Sequence, residues 1–321
     1  VVYEALQSVW SAWARRRYRD EFSRVTSFCL FIGYPRSGHS LVGAMLNAHM
    51  HAVISHELDV SPLVLGGASR DELFSRILAR AAWFNLRGNR SNYRYQIPNK
   101  WQGRFETLRV IGDKRGGTAA QSLARHPDLL DRLRNTVGVP VRLIHVVRNP
   151  YDNIAAIARW HRLTLDASIE FYFSHFSVTG KLEELAPAAD IVTVRHEAFF
   201  NAPEETLSGV CSFLGLEASA AYLQECSSIV FRQPTSPRFR IDWTAAQKAD
   251  VASRTREYSF LAGYTFDEPN EAEVTARERS VVTRANPPAN SQVLDRLAAF
   301  FWPRVSAGGS GSQAGGSSRP A

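Results

Sequence analysis

The chain is short of cysteine, of lysine and of long apolar runs, and each shortage narrows what it can be. Its three cysteines, Cys29, Cys211 and Cys226, are odd in number and stand in no CxxC or zinc-ligand spacing, so neither a disulfide framework nor a metal cage is implied and a reducing compartment is expected. No stretch approaches the roughly 18 to 20 apolar residues that a bilayer-spanning helix needs. Only Lys100, Lys114, Lys181 and Lys248 are lysine; the other 34 of the 38 basic residues are arginine. The first residue is Val1, with no charged-then-apolar leader behind it. The expected location is therefore the cytoplasm, the alternative being a Golgi lumen or a membrane-anchored form if an upstream segment is missing.

What is present suits a water-soluble body. Of 321 residues, 45% are apolar and 11% aromatic, the balance of one large or two small globular domains. A net charge of +7 favours anionic partners. The arginines are scattered and carry no DNA- or RNA-binding motif, so nucleic acid is not an expected partner. One glycosylation sequon, Asn89-Arg90-Ser91, is present, a pattern short enough to arise by chance.

Along the chain, short apolar runs alternate with helical patterns. Val2, Leu6, Val9, Trp10 and Trp13 fall at helical spacing ahead of Arg15, Arg16 and Arg17. This predicts an amphipathic helix within residues 1–27 that packs on the body, the sharper alternative being a membrane-surface segment. Strands are predicted at 28–32, 52–55, 108–111, 141–147 and 191–194, and helices at 41–49, 151–160, from about 203, and 244–260. Buried strands alternating with helices imply a mostly parallel sheet covered on both faces, which binds ligands at the carboxyl ends of its strands. Residues 28–270 are read as the principal domain, 271–305 as a helical extension and 306–321, rich in glycine and serine, as a disordered tail.

The segment Gly33-Tyr34-Pro35-Arg36-Ser37-Gly38-His39-Ser40 lies between a predicted strand and a predicted helix, with glycines five apart and a hydroxyl two residues after the second. Such a loop aims backbone N–H groups and a helix N-terminus at a phosphate-like anion. An ATP-binding loop would carry lysine where this chain has His39. The permanent charge sits instead within the loop, at Arg36, which suits an anion other than a magnesium-bound triphosphate.

Pro35-Arg36-Ser37-Gly38 before a helix, with Arg148-Asn149-Pro150-Tyr151-Asp152 after a later strand, resembles the sulfotransferases that use 3′-phosphoadenosine-5′-phosphosulfate, closest in motif style to the tyrosylprotein or Golgi type and the bacterial ones. The resemblance continues more loosely through the segment that starts at Val194-Arg195-His196-Glu197 and through Ile241-Asp242-Trp243 to Tyr264, covering about residues 28–266. It implies an α/β, P-loop-type three-layer sandwich and transfer of a sulfuryl group to an acceptor hydroxyl, with 3′,5′-adenosine bisphosphate as product and no metal. By the same resemblance Pro35, Arg36, Ser37, Gly38, His39 and Ser40 hold the 5′-phosphosulfate and Arg148 the 3′-phosphate. The chain departs from the family at Ala156, where a serine usually gives a second 3′-phosphate contact, with Arg238 or Arg240 as candidate replacements. It departs again at His196, which stands for a tyrosine, and in having Glu197 alone where an acidic pair is usual.

Sulfuryl transfer needs a base and positive charge where negative charge builds. Glu57, at the spacing the family resemblance implies, is the preferred base and His56 its rival; a third possibility places the base elsewhere. Lys114, in a Gly112-Asp113-Lys114 segment similar to many family members, would support the leaving group or the acceptor site, unless it is a surface lysine paired with Asp113. His49, His51 and His56 put no convincing ligand pair on one helical face. Residues 58–105, with Trp83, Tyr93, Tyr95 and Trp101, are expected to meet the acceptor: a saccharide, a phenol or a tyrosine-containing peptide. Two other readings remain, a nucleotide-dependent phosphotransferase and a catalytically inactive binding protein of sulfotransferase fold.

Overall fold

A computed structural model describes residues 2–87, 95, 97, 100–230 and 236–267. The regular elements in chain order are α1 (Val2–Arg17), α2 (Arg19–Ser23), β1 (Ser27–Gly33), α3 (His39–Asn47), β2 (Ala52–His56), α4 (Val60–Leu65), α5 (Arg70–Arg87), β3 (Val110–Lys114), α6 (Gly116–Arg125), α7 (Leu129–Val137), β4 (Val141–Val147), α8 (Pro150–His161), α9 (Leu165–Phe173), α10 (Phe176–Thr179), α11 (Leu182–Leu185), β5 (Ile191–Arg195), α12 (Ala198–Asn201), α13 (Pro203–Phe213), α14 (Ala220–Ser227) and α15 (Ala245–Thr255). Short 3₁₀ turns stand before β5, at Pro237–Arg240 and at Ser259–Leu261. The sequon and Tyr93, and the extension and tail expected at 271–305 and 306–321, lie outside the described residues.

The five strands form one all-parallel sheet in the order β2-β3-β1-β4-β5. β1 is buried at all seven positions because it lies mid-sheet and is covered on both faces. Phe28, Leu30 and Ile32 enter one core with α5, α6 and α7, through Leu73, Phe74, Ile77, Leu123 and Leu133. Cys29 and Phe31 enter the opposite core with Leu41, Val42 and Met45 of α3 and Leu207 and Val210 of α13. The period of two along the strand thus builds a three-layer sandwich. A third cluster, around Tyr34, Val147, Ile154, Tyr172 and Phe176, packs α8 to α10 at the end of β4.

Chain direction decides which face each helix takes. A right-handed crossover from β1 to β2 runs one way across the sheet, whereas those from β2 to β3, β3 to β4 and β4 to β5 run the other way. α3 therefore covers one face and α5 to α8 the other. The loops leaving the neighbouring strands β1 and β4 diverge, opening a crevice at the strand ends.

One difference from the sequence reading has a physical reason. Residues 60–87, read as part of an insertion beyond β2, are the helical crossover α4–α5; Leu73, Phe74, Ile77 and Leu78 are buried beneath the sheet. The N-terminal helix turns its aromatics inward: Trp10 meets Trp13, Trp13 meets Tyr18, and Tyr18 meets Phe105, at centroid separations of 5.3 to 5.8 Å. Among the described residues no helix is long and apolar enough to cross a membrane.

Candidate active site

The loop after β1 turns sharply before α3. Arg36 and Gly38 have left-handed backbones, with φ of 69° and 101°. At Gly38, the N-cap of α3, any Cβ would run into the imidazole of His196, so glycine is needed both for the conformation and for the close approach of the segment after β5. The Leu41 amide donates to the Gly38 carbonyl, so the amides of His39 and Ser40, ahead of it, are left with the positive end of the helix dipole at the strand ends. The Ser37 hydroxyl is turned inward, 2.9 Å from the Tyr34 carbonyl and 3.0 Å from His39 Nδ1. His39 Nε2 lies 3.0 Å from the Ile32 carbonyl. Burial, helped by the charge of Lys114, pushes the His39 pKa down to about 4, so the ring is neutral at pH 7 and braces the loop as an uncharged strut.

The missing loop lysine is matched by one from the next strand. Lys114, the last residue of β3 and only 4% exposed, places its Nζ 3.0 Å from Glu57 Oε1, 3.2 Å from Ser40 Oγ and 3.5 Å from His56 Nε2. One ammonium thus joins the start of α3 to the end of β2. Burial would raise the Glu57 carboxyl, but Lys114, through charge and hydrogen bond together, outweighs it with help from His56 and Arg115 and holds the group below the usual carboxylate range. Burial and then Lys114 drive His56 down to about 3. Its neutral ring stacks on Phe84 at 3.9 Å.

Asp113 explains why Glu57 is where it is. Its carboxylate accepts hydrogen bonds from Ser55 Oγ at 2.6 Å and from the amides of Leu58 and Asp59 at 3.1 and 3.0 Å. These bonds hold a loop in which Glu57 and Asp59 both have left-handed backbones, φ of 58° and 64°. The Glu57 amide donates to the Lys114 carbonyl, and Arg115 Nη1 donates to the Glu57 carbonyl. Beside this pair, a small cavity is lined by Ser40, Gly43, Asn47, His56, Phe84 and Tyr95, among others. Among the described residues of that segment Tyr95 lines it, whereas Trp83 and Trp101 do not.

Across the crevice, Arg148 follows β4 and is 9% exposed; its Nη1 donates to the Arg36 carbonyl at 3.4 Å. Asn149 caps α8 by accepting from the Tyr151 amide, and its Nδ2 donates to the Thr265 carbonyl. Glu197 accepts from the Asn149 amide at 2.9 Å with one oxygen and from the Tyr264 hydroxyl at 2.6 Å with the other. Asn153 Nδ2 donates to the Pro35 carbonyl at 2.7 Å, joining α8 to the loop. Arg238 is fully buried, ion-paired to Asp152, and donates to the Phe266 carbonyl. This places it within the scaffold behind Arg148. Arg240 is exposed on the adjoining 3₁₀ turn.

The structure therefore brings Arg36, Ser40, His56, Glu57, Lys114 and Arg148 to the carboxyl end of the sheet, with Pro35, Ser37, Gly38 and His39 forming the turn between them. Among the described residues no three His, Cys, Asp or Glu side chains gather as a metal site would require.

A sulfotransferase family profile matches residues 30–220, more than half of the chain. The chain belongs to the sulfotransferase family. No curated protein sequence matches it. Among solved structures it is similar to mouse sulfotransferase SULT7A1 complexed with PAP, at 16% identity over 73% of this chain and 84% of that one, with a TM-score of 0.43. The sulfotransferase domain of the Synechococcus PCC 7002 olefin synthase matches at 18% identity over 87% and 95%, with a TM-score of 0.43. Sulfotransferase STF9 from Mycobacterium avium matches at 9% over 78% and 81%, with a TM-score of 0.45.

Within this family member, the sequence reading passed over the residues that hold others in place. Asp113 reads from the sequence only as a partner for Lys114, and nothing local announces that it ties down the loop after β2. Asn149 carried a usable signal, being an Asn directly before Pro at a helix start, a capping pattern.

Proposed function

We propose that the chain transfers a sulfuryl group from 3′-phosphoadenosine-5′-phosphosulfate to an acceptor hydroxyl, with Glu57 as general base. The observation that carries this reading is the Lys114 ammonium, shared between the Glu57 carboxylate and Ser40 at the mouth of an anion-binding loop. The residues suit the donor: loop amides and Arg36 for the 5′-phosphosulfate, and Arg148, fixed between loop and α8, for the 3′-phosphate. A guanidinium meets two phosphate oxygens at once. The donor, when bound, supplies an activated sulfuryl group with a phosphate leaving group.

Glu57 would take the acceptor's proton at its carboxylate, and its side chain is 45% exposed, so an acceptor can reach it. Its ion pair lowers its basicity. Any negative charge drawn to the loop competes for the Lys114 ammonium and so raises the basicity of Glu57 when the site is filled. His56 is the weaker candidate, because a ring that protonates only near pH 3 has little driving force to accept a proton at neutral pH.

The test is a thermal-shift titration with 3′,5′-adenosine bisphosphate against AMP and Mg-ATP. Stabilisation by the bisphosphate beyond AMP supports reading of the 3′-phosphate. Stabilisation by Mg-ATP alone would replace this proposal with phosphoryl transfer.

A further inference from the structure

Trp160 is a large aromatic left 51% exposed near the end of α8, yet its ring is engaged: the Arg36 Cζ lies 4.5 Å from its centroid. Asn153, Ala156 and Trp160, spaced three and four residues apart, form one stripe along α8. At one end of that stripe Asn153 donates to the Pro35 carbonyl; at the other Trp160 stacks against Arg36. The stripe therefore faces the anion loop, and its middle position, Ala156, offers only a methyl group.

We propose that Trp160 is a positioning residue for Arg36, holding its guanidinium against α8 so that it meets the donor's anionic group already ordered. The inference rests on the donor reading above. Arg36 is held at two points, its carbonyl by Arg148 Nη1 and its guanidinium by the indole, across a left-handed backbone that sets the direction in which the side chain leaves. An arginine on a loop otherwise has many rotamers to lose when it binds an anion, and fixing it beforehand removes part of that cost. A cation–π contact uses the charge of the guanidinium and occupies none of its N–H donors with an acceptor oxygen, so the contact that orders Arg36 is compatible with those donors meeting phosphate or sulfate oxygens.

The experiment is calorimetric titration of the whole chain with 3′,5′-adenosine bisphosphate, in a cycle of Trp160→Ala, Arg36→Ala and the double variant, with melting temperatures to confirm folding. Trp160→Ala should weaken binding about two- to fivefold, the range of an exposed cation–π contact. Trp160→Phe should restore most of it. With Arg36 already replaced by alanine, removing Trp160 should change nothing further, which a merely structural role for Trp160 would not produce. Unchanged affinity in Trp160→Ala, or equal losses with and without Arg36, would overturn the inference and leave the donor reading standing. Failure of the unsubstituted chain to bind the bisphosphate would overturn both.

Discussion

The two sides of the crevice are built on opposite plans. Beyond β4 and β5, polar groups hold one another in a buried network of fixed hydrogen bonds: Asn149 with the Tyr151 amide, Glu197 with Asn149 and Tyr264, and Asp152 with Arg238. Beyond β2 and β3, a single ammonium is divided among Ser40, His56 and Glu57, and the carboxylate it pairs with is 45% exposed. The first arrangement suits a fixed anchor for an anion. The second suits chemistry, because a shared charge on an accessible carboxylate can be redistributed when another anion arrives, whereas a fully buried ion pair cannot give up its partner without a large penalty. The divided side is itself held by a rigid support, since Asp113 ties down the loop that carries Glu57.

The strongest way to break this comparison is at Glu57. Glu57→Gln keeps the shape but cannot accept a proton, so turnover should fall by about 10²- to 10⁴-fold while affinity for 3′,5′-adenosine bisphosphate stays near that of the parent. Sulfate transfer at parental rates would move the base elsewhere. On the anchoring side, Asp152→Ala leaves the Arg238 guanidinium buried without its carboxylate, and unfolding free energy should drop by about 3 to 5 kcal/mol in a denaturant titration. A loss below 1 kcal/mol would mean that this side is not the fixed half. Arg148→Ala is expected to cost about 1.5 to 3 kcal/mol of bisphosphate affinity and much less of AMP affinity, because only the bisphosphate carries the 3′-phosphate. Equal losses for both nucleotides would assign Arg148 to another part of the ligand.

The same contrast separates what the sequence makes legible from what it hides. The strands, the loop after β1 and Arg148 are readable because their signals are local: apolar runs four to seven long, paired glycines, and an arginine before Asn-Pro. Helix α5 is hard to read, because Arg76 and Arg80 interrupt its apolar residues and it lies within a long segment that looks inserted between β2 and the next strand. The sharing of Lys114 is also invisible from sequence, since it depends on the register that sets His56 beside Lys114 across β2 and β3. Arg238 looked like a ligand for phosphate because a basic residue near that position is common in the family. Only burial places it against Asp152, with the guanidinium stacked on Phe239.

The finest test of the anchoring side adds a group instead of removing one. Ala156 lies half-buried on the loop-facing stripe of α8, between Asn153 and Trp160, where the family resemblance leads one to expect serine. Ala156→Ser places a hydroxyl there without enlarging the side chain by more than one atom. Serine is a poorer helix former than alanine, so stability should fall by about 0.5 kcal/mol. If the stripe borders the 3′-phosphate, one added hydrogen bond should tighten 3′,5′-adenosine bisphosphate by about 0.5 to 1.5 kcal/mol and leave AMP unchanged. Tightening of both nucleotides would place the stripe nearer the 5′ group, and a loss of affinity for both would mean that the alanine methyl is needed for packing against the loop.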